Sequence, residues 1–239
     1  MTLVVGNQTD TNKITVNASD EVSVVKVLIF NGDDTMEESV AGIKACLDEN
    51  NNMNLTGYYF EYDTANEINS KTLSSYDVLI MPGGNSATYV NSNSIDSDAI
   101  KQFISQGNGY VGICAGAYAA SNNVEGSYSG WGLAPEVNTI DVSYEGLLTL
   151  STTSYGNKLS DESTLNMYHQ NGPAMYTTGS DIYSFATYAD NSTGYQNYYA
   201  MVGENYGSGR VLLSGSHPEL DPQKPQLLAN MILWTVNEI

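Results

Sequence analysis

The sequence predicts a three-layer α/β fold in which a doubly wound, mostly parallel sheet carries a β-rich insertion. Apolar, β-branched runs alternate with amphipathic stretches from Val24 to Ile113, as in strand–helix–strand units. Short stretches rich in tyrosine and threonine follow after Ser121, separated by glycine, asparagine and serine. A chain of 239 residues is long enough for one such domain with a modest insertion and a substantial core.

The first unit is a strand, a turn and a helix. Residues 24–30 form a continuous apolar run, typical of a parallel strand that is covered on both faces. Residues 31–34 have the composition of a turn. Thr35 and Glu38 have the spacing of a capping box, and an apolar stripe continues from there to Leu47. The stripe predicts a helix that crosses over to the next parallel strand.

The same alternation predicts the remaining elements. In the first half we expect strands over 55–60, 76–81 and 109–113 and a helix over 97–106. In the second half we expect strands over 144–150, 156–159, 165–168, 182–188, 198–204 and 210–214, and a closing helix over 225–236. The spacing in the first half favours right-handed crossovers and a flavodoxin-like parallel sheet. We assign residues 1–22 to a polar tail or short strand, 23–239 to a single domain, and about 121–209 to a β-rich elaboration over one end of the sheet.

An excess of acidic residues narrows the classes of partner. There are 27 Asp+Glu against 8 Lys+Arg, for a net charge of −19. A field of that sign repels phosphate backbones and anionic bilayers, so we expect no nucleic-acid partner and no membrane insertion. Scarce lysine and abundant uncharged polar residues favour a secreted or cell-surface protein over a cytoplasmic one. A secreted form would have a signal peptide that is absent from this sequence.

Two cysteines are too few for a disulfide scaffold, and no cysteine–histidine spacing suggests a zinc site. We therefore expect no metal and no cofactor. We expect Cys46, which lies in the first helix, to have only a packing role. Cys114 is different, because the segment Gly112-Ile113-Cys114-Ala115-Gly116 joins a strand to a helix with the spacing of a nucleophile elbow. The start of the following helix would stabilise a thiolate, and the Ala115 N–H can bind a developing oxyanion.

A second motif, Ser214-Gly-Ser-His-Pro-Glu219, follows the last predicted strand. Residues i and i+2 of an extended segment face the same way, so His217 and Glu219 can share one side. Glu219 would then orient His217 toward Cys114, as in a catalytic triad. Cys114, His217 and the turn at Gly83-Gly84 all follow strand ends, which predicts that three loops converge on one crevice.

These motifs resemble those of the class I glutamine amidotransferase-like superfamily, which includes PfpI-type relatives. Within it, the chain is most similar to the domain at the N-terminus of some biotin–protein ligases. The motifs that carry the resemblance are VLIFNGD, MPGGNS, GICAGAYAAS, the NGP of 171–173 and LSGSHPE, and they span roughly Val24 to Ile239. The 239 residues contain neither a biotin-ligase catalytic domain nor a synthase domain, so we do not expect biotinylation.

The resemblance assigns roles to five residues. It implies that Cys114 is the nucleophile, that His217 is the base and that Glu219 orients His217. It also implies that the backbone N–H groups of Gly84 and Ala115 form the oxyanion hole.

Further residues near the strand ends are candidates for lining the substrate site. They are Gly32, Asp33, Gly83, Asn85, Tyr118, His169 and Asn171. Asn85 stands where the ligase-attached domain usually has a charged residue, so we expect different substrate contacts there. The sequence leaves three roles open for His169: a structural residue of a strand or loop, a substrate contact, or an alternative base.

The sequence supports a cysteine hydrolase that cleaves an amide or related acyl bond in a small molecule or peptide. The alternative is a catalytically silent binding or surface module that keeps the crevice. A third reading is a glutaminase subunit that needs a separate synthase partner. The oligomeric state is not predicted. Reactivity of the Cys114 thiol at low pH separates the first reading from the second.

Overall fold

A computed structural model describes residues 22–239. The helices are α1 (Glu37–Met53), α2 (Ser70–Leu73), α3 (Ser86–Asn91), α4 (Ser97–Ser105), α5 (Ala115–Ala120) and α6 (Pro225–Thr235). The first seven strands are β1 (Ser23–Phe30), β2 (Tyr58–Ala65), β3 (Val78–Met81), β4 (Gly109–Ile113), β5 (Ser121–Val124), β6 (Tyr128–Ser129) and β7 (Ala134–Ile140). The others are β8 (Glu145–Thr152), β9 (Thr164–Gln170), β10 (Ala174–Thr177), β11 (Ile182–Tyr188), β12 (Tyr199–Tyr206) and β13 (Gly209–Ser214).

The central part of the sheet is parallel. Its strand order is β2-β1-β3-β4-β13, in which each neighbouring pair is parallel. Alternate residues of these fully covered strands point to opposite faces, so Val27 and Ile29 join one core cluster and Leu28 and Phe30 the other. Helices α1 and α6 contribute to the first cluster, and α2 to α5 to the second. The mixed α/β fold with a parallel sheet is confirmed.

A mainly antiparallel part extends the sheet beyond β13. Strand β12 pairs antiparallel with β13, and the sheet continues through β10 and β7 by antiparallel pairing. Strand β5 then pairs parallel with β7, and β6 pairs antiparallel with β5. Strands β8, β9 and β11 branch from β12, also by antiparallel pairing. The carboxyl end of β9 returns to the parallel sheet, where Tyr168 forms an isolated bridge with His217. The β-rich portion is therefore continuous with the main sheet and reaches the loops at its carboxyl edge.

Two local predictions were wrong. Thr35 and Glu38 do not form a capping box, since Met36 is the residue that precedes α1 and no side chain caps the helix. The Thr35 hydroxyl instead donates to Gly32 O over 2.7 Å and tightens the turn. The stretch predicted as a strand at 156–159 is a short 3₁₀ helix over Gly156–Lys158. Its backbone closes on itself through local bonds to Tyr155 and Gly156 rather than joining a neighbouring strand.

Several short elements were not predicted. They are α2, α3, β5, β6, β7 and β10. The predicted tail at 1–22 lies outside the described residues, apart from Val22. Within residues 22–239, no helix combines the length and the apolar composition needed to cross a bilayer.

Candidate active site

Cys114 occupies a sharp bend between β4 and α5. Its φ is 51° and its ψ is −105°, a combination that costs a residue other than glycine about 1–3 kcal/mol. A side chain at Gly112 would place Cβ 2.6 Å from Gly116 O, and one at Gly116 would collide with Met81 O. The Cys114 N–H donates to Ser214 O over 2.8 Å, which joins the bend to the end of β13. The glycines on both sides of the cysteine are therefore required by the close approach of the backbone.

His217 and Glu219 form a buried pair beside this bend. Their Nδ1 and Oε1 atoms are 2.7 Å apart, and both side chains are 0% exposed. Burial lowers the pKa of His217, but the Glu219 charge and the nearby Cys114 sulfur outweigh it and raise the pKa to about 10. Nε2 of His217 has no hydrogen-bond partner among the described residues. His217 is thus an imidazolium at neutral pH with one N–H still available.

Ser39 links this pair to the predicted oxyanion loop. The Ser39 hydroxyl donates to Glu219 Oε1 over 2.6 Å, and its oxygen accepts the Gly83 N–H over 3.0 Å. On the same face of α1, a side chain at Gly42 would collide with Glu219 O, so the helix backbone lies directly against that residue. Helix α1 therefore holds the acid of the candidate triad and the Gly83-Gly84 turn in fixed relative positions.

Strand β9 sets the spacing between the cysteine and the histidine. Tyr168 O accepts the backbone N–H of His217 over 2.8 Å. Two residues further along the strand, Gln170 O accepts a hydrogen bond from the Cys114 thiol over 3.4 Å. One strand therefore contacts both members of the candidate pair, and the thiol proton points at a carbonyl oxygen in this structure.

The other histidine of the chain, His169, lies behind the pair rather than in the cavity. It is 0% exposed, and its Nδ1 is 3.1 Å from Ser216 Oγ. Burial, followed by the charge of neighbouring His217, lowers the pKa of His169 to about 4. His169 is therefore neutral at physiological pH and supports the loop that carries His217.

The two predicted oxyanion donors lie next to the cysteine. Gly84 has a φ of +157°, and a Cβ there would lie 2.5 Å from the Tyr89 hydroxyl. Its N–H has no acceptor among the described residues. Ala115 is the first residue of α5, where helix geometry leaves the N–H without an intrahelical acceptor. Both residues line the same cavity as Cys114.

This cavity has a volume of about 500 Å³. It lies outside the carboxyl ends of the parallel strands, where ligand sites of open α/β sheets are found. It is lined by Met36, Gly84, Asn85, Ser86, Ala87, Cys114, Ala115, Tyr118, Val124, Ser127, Tyr128, Asp141, Gln170 and Asn171. Cys114 itself is 6% exposed, so a ligand in the cavity meets only the tip of its side chain.

Three of the residues predicted to line a substrate site lie in the wall of this cavity: Asn85, Tyr118 and Asn171. The Asn85 side chain also accepts the N–H groups of Ala87 and Thr88 and thereby caps α3.

Four other residues predicted to line the site lie outside the cavity: Gly32, Asp33, Gly83 and His169. Gly32 packs against the Phe30 ring, and Asp33 is exposed to solvent, because the turn approaches the site only through its later residues. Gly83 lies beneath the imidazole, where a Cβ would be 2.8 Å from Cε1 of His217.

Residues 25–133 match the family model described as "Biotin-protein ligase, N terminal". The predicted resemblance is confirmed. The matched segment contains Gly84, Cys114 and Ala115 and ends before His217. No curated protein sequence matches the chain at a significant level.

Solved structures show the same overall fold at low identity. A structure described as glutamine amidotransferase has a TM-score of 0.63 at 18% identity, covering 88% of this chain and 98% of that chain. The PurLQS structure from Thermotoga maritima has a TM-score of 0.60 at 13% identity, covering 89% and 97%. A structure described as mmIFT52 N-terminal domain has a TM-score of 0.58 at 11% identity, covering 88% and 96%. The fold is therefore of the class I glutamine amidotransferase type, and identities this low establish only the fold.

Sequence reasoning missed several residues of this candidate site. They are Met36, Ser39, Tyr128, Asp141 and Gln170. Met36 and Ser39 follow the predicted turn after the first strand, and Gln170 lies between two predicted residues. Ser39 and Glu219 are 180 residues apart in sequence, and no local motif connects them.

Cys46 has the structural role expected of it. It is 0% exposed in α1, it is not disulfide-bonded, and burial raises its pKa to about 12. Within residues 22–239, no group of three histidine, cysteine, aspartate or glutamate side chains is arranged to hold a metal ion.

The two histidines are expected to titrate on opposite sides of neutrality. Because the chain has only two, their NMR signals can be followed without ambiguity. We expect neither imidazole to titrate between about pH 5 and 8, where an unperturbed histidine does. His217 contributes stability that is complete below its unfolded pKa of 6.5 and is lost as pH rises through about 10. His169 contributes stability that is present above 6.5 and is lost as pH falls through about 4. A titration of either ring with a midpoint near 6.5 would contradict this arrangement.

Proposed function

We propose that the protein is a cysteine hydrolase that cleaves an amide or related acyl bond, with Cys114, His217 and Glu219 as its triad. The observation that carries the proposal is the Nδ1–Oε1 hydrogen bond of 2.7 Å between His217 and Glu219. Within residues 22–239 the other ring nitrogen, Nε2, has no hydrogen-bond partner, and the His217 ring lies near enough to Cys114 for the sulfur to raise the pKa of His217. An oriented imidazolium beside a thiol on a tight bend is the arrangement that activates a cysteine nucleophile.

The first half of the reaction forms an acyl-enzyme. The Cys114 thiolate attacks the carbonyl carbon, and a C–S bond forms as the carbonyl electrons move to oxygen. The N–H groups of Gly84 and Ala115 stabilise this oxyanion, and each such donor is worth about 10²–10³ in rate in comparable sites. As the intermediate collapses, the C–N bond breaks, and His217 Nε2 gives its proton to the leaving amine.

The second half regenerates the enzyme. His217, now neutral at Nε2, takes a proton from water as the water oxygen attacks the thioester carbon. The C–S bond breaks, the carboxylic acid product leaves, and the thiolate and imidazolium are restored. Throughout, Glu219 keeps the Nδ1 proton in place, and Ser39 and the α1 backbone keep Glu219 in place.

The proposal is tested first by thiol reactivity. In a Cys46→Ser variant, iodoacetamide should alkylate Cys114 at pH 6 at a rate within a few-fold of that at pH 8. An ordinary thiol slows by roughly two orders of magnitude over that range, because its thiolate fraction falls with pH. Peptide mass spectrometry locates the modification, and the Cys46→Ser, Cys114→Ala double variant is the control. A slowing of that size at Cys114 would overturn the proposed activation.

Turnover requires a second measurement. A p-nitrophenyl ester should give a burst of about one nitrophenolate per chain, followed by a slower steady state, as an acyl group accumulates on sulfur. The trapped acyl group should be found on Cys114 by mass spectrometry, and Cys114→Ala should show no burst. A steady state without any acyl group at Cys114 would contradict the covalent mechanism.

One observation favours the second candidate function, a catalytically silent binding module. The Cys114 thiol donates to Gln170 O, and the His217 ring is completely buried and does not line the cavity. In a silent module this arrangement would persist when the cavity is occupied. It predicts ligand binding in the cavity with ordinary pH dependence of alkylation at Cys114, the opposite of the result expected for a hydrolase.

A further inference from the structure

The charge in the cavity is concentrated at one residue. Asp141 is the only lysine, arginine, aspartate or glutamate among the described residues that line it. It follows the end of β7 and is exposed. Tyr118 and Tyr128 line the same cavity, and the charge of Asp141 acts on both phenols. A carboxylate and two tyrosine side chains therefore line the cavity that also contains Cys114.

Neighbouring protein groups satisfy only part of the hydrogen-bonding capacity of the Asp141 carboxylate. The Tyr118 hydroxyl lies 3.2 Å from Asp141 Oδ1 and 3.1 Å from Asn171 O. A phenol has a single proton, so it cannot donate fully to both acceptors. An ionised carboxylate offers about four acceptor positions, and among residues 22–239 only the Tyr118 hydroxyl occupies one of those of Asp141. Asp141 thus keeps its capacity to accept hydrogen bonds from a ligand.

We propose that Asp141, with Tyr118 and Tyr128, forms a subsite that binds a cationic group of the substrate, an ammonium or guanidinium carried by the acyl compound cleaved at Cys114. The carboxylate supplies charge-assisted hydrogen bonds, and the aromatic faces attract a cation through their quadrupoles. The net charge of −19 would draw cations toward the protein as a whole. Cleavage of the bound compound at Cys114 rests on the proposed function. Binding of the cationic group at Asp141 does not.

The electrostatic part is tested with thiol reagents of matched size. In the Cys46→Ser background, Cys114 is treated with methanethiosulfonates that carry a trimethylammonium, a methyl or a sulfonate group. In each case the thiolate attacks the reagent sulfur, a disulfide forms and methanesulfinate leaves. The ratio of cationic to anionic rates should fall by about tenfold in Asp141→Asn, given effective dielectric constants between those of a protein surface and water.

A matched control removes the effect of overall charge. Asp98→Asn deletes the same charge from α4, where the side chain is 90% exposed and outside the cavity. Its rate ratio should stay within about twofold of the parent, because exposed charges beyond a Debye length of about 8 Å are screened. Equal changes in the two variants would overturn the subsite while leaving the hydrolase proposal intact.

A binding measurement on a variant without the Cys114 thiol tests the cationic subsite independently of the hydrolase proposal. Calorimetry on Cys114→Ala compares Nα-acetyl-lysine amide, Nα-acetyl-norleucine amide and Nα-acetyl-glutamate amide. The lysine compound should bind at least tenfold tighter than the other two, and Asp141→Asn should remove that preference. Equal affinities for the lysine and norleucine compounds would overturn the cationic subsite. The result does not depend on whether Cys114 turns over substrate.

Discussion

Replacing His217 by glutamine is expected to slow alkylation of Cys114 at pH 6 by about 10²–10³. The reason is that an unassisted thiol, with a pKa near 8.5, is only about 0.3% ionised at that pH. In the native chain the His217 imidazolium lies beside the sulfur and has a pKa raised to about 10, so its charge is retained throughout the measurement. The rate of iodoacetamide addition in the Cys46→Ser background measures the effect directly.

The substitution also leaves the Glu219 carboxylate buried without its cation. Breaking one side of a buried pair typically destabilises a protein by about 3–5 kcal/mol. The double variant His217→Gln, Glu219→Gln removes both charges and should recover part of that stability while the thiol remains slow. The same change at His169, which is neutral and outside the cavity, should slow alkylation by less than about tenfold. Equal losses from the two histidine substitutions would contradict a specific role for His217.

The residues of the candidate triad could be predicted because they lie in short local sequence motifs. The elbow around Cys114 needs glycines two residues away on each side. His217 and Glu219 were expected to share one side of an extended segment. The two side chains do bond to each other, but across a turn in which the Leu220 N–H donates to His217 O. Both motifs lie at strand ends, and parallel strands bring such ends to one edge of the sheet. The local pattern therefore contained the residues of the candidate triad and the edge at which they meet.

The rest of the site depends on contacts between distant segments. Ser39 reaches Glu219 because α1 lies against the loop after β13, and this packing leaves no signature around either residue. Gln170 meets Cys114 because β9 returns from the antiparallel part of the sheet. Asp141 joins the cavity at the end of β7, a strand that the sequence did not predict. Such partners are fixed by tertiary packing rather than by local propensity.

Tertiary packing also bears on the two wrong secondary-structure predictions. The capping box at Thr35 and Glu38 matched a local pattern, but the Thr35 hydroxyl bonds to the preceding turn, and the turn contacts Gly84 instead. Residues 156–159 lie among stretches that read as strands, but Gly156 lies against the Phe185 backbone too closely for a side chain. In both places local hydrogen bonds form, and the chain also contacts an element far away in sequence, Gly84 in the first and Phe185 in the second. The predicted periodicity matches β1, β4, β13, α4 and α6, whose apolar faces are buried.

Substituting Gly116 by alanine is expected to destabilise the fold by about 3 kcal/mol or more, the upper end of the range for overpacked sites. The added Cβ would collide with Met81 O, and both positions belong to backbone at the crossing of β3 and α5, so neither can move cheaply. Gly126→Ala is the control, because its Cβ would meet nothing within 4 Å and its φ of +72° should cost only about 1–2 kcal/mol. Urea unfolding of both variants measures the difference. A loss at Gly116 no larger than that at Gly126 would mean that α5 can move away from β3, and that the bend at Cys114 is not fixed by this contact.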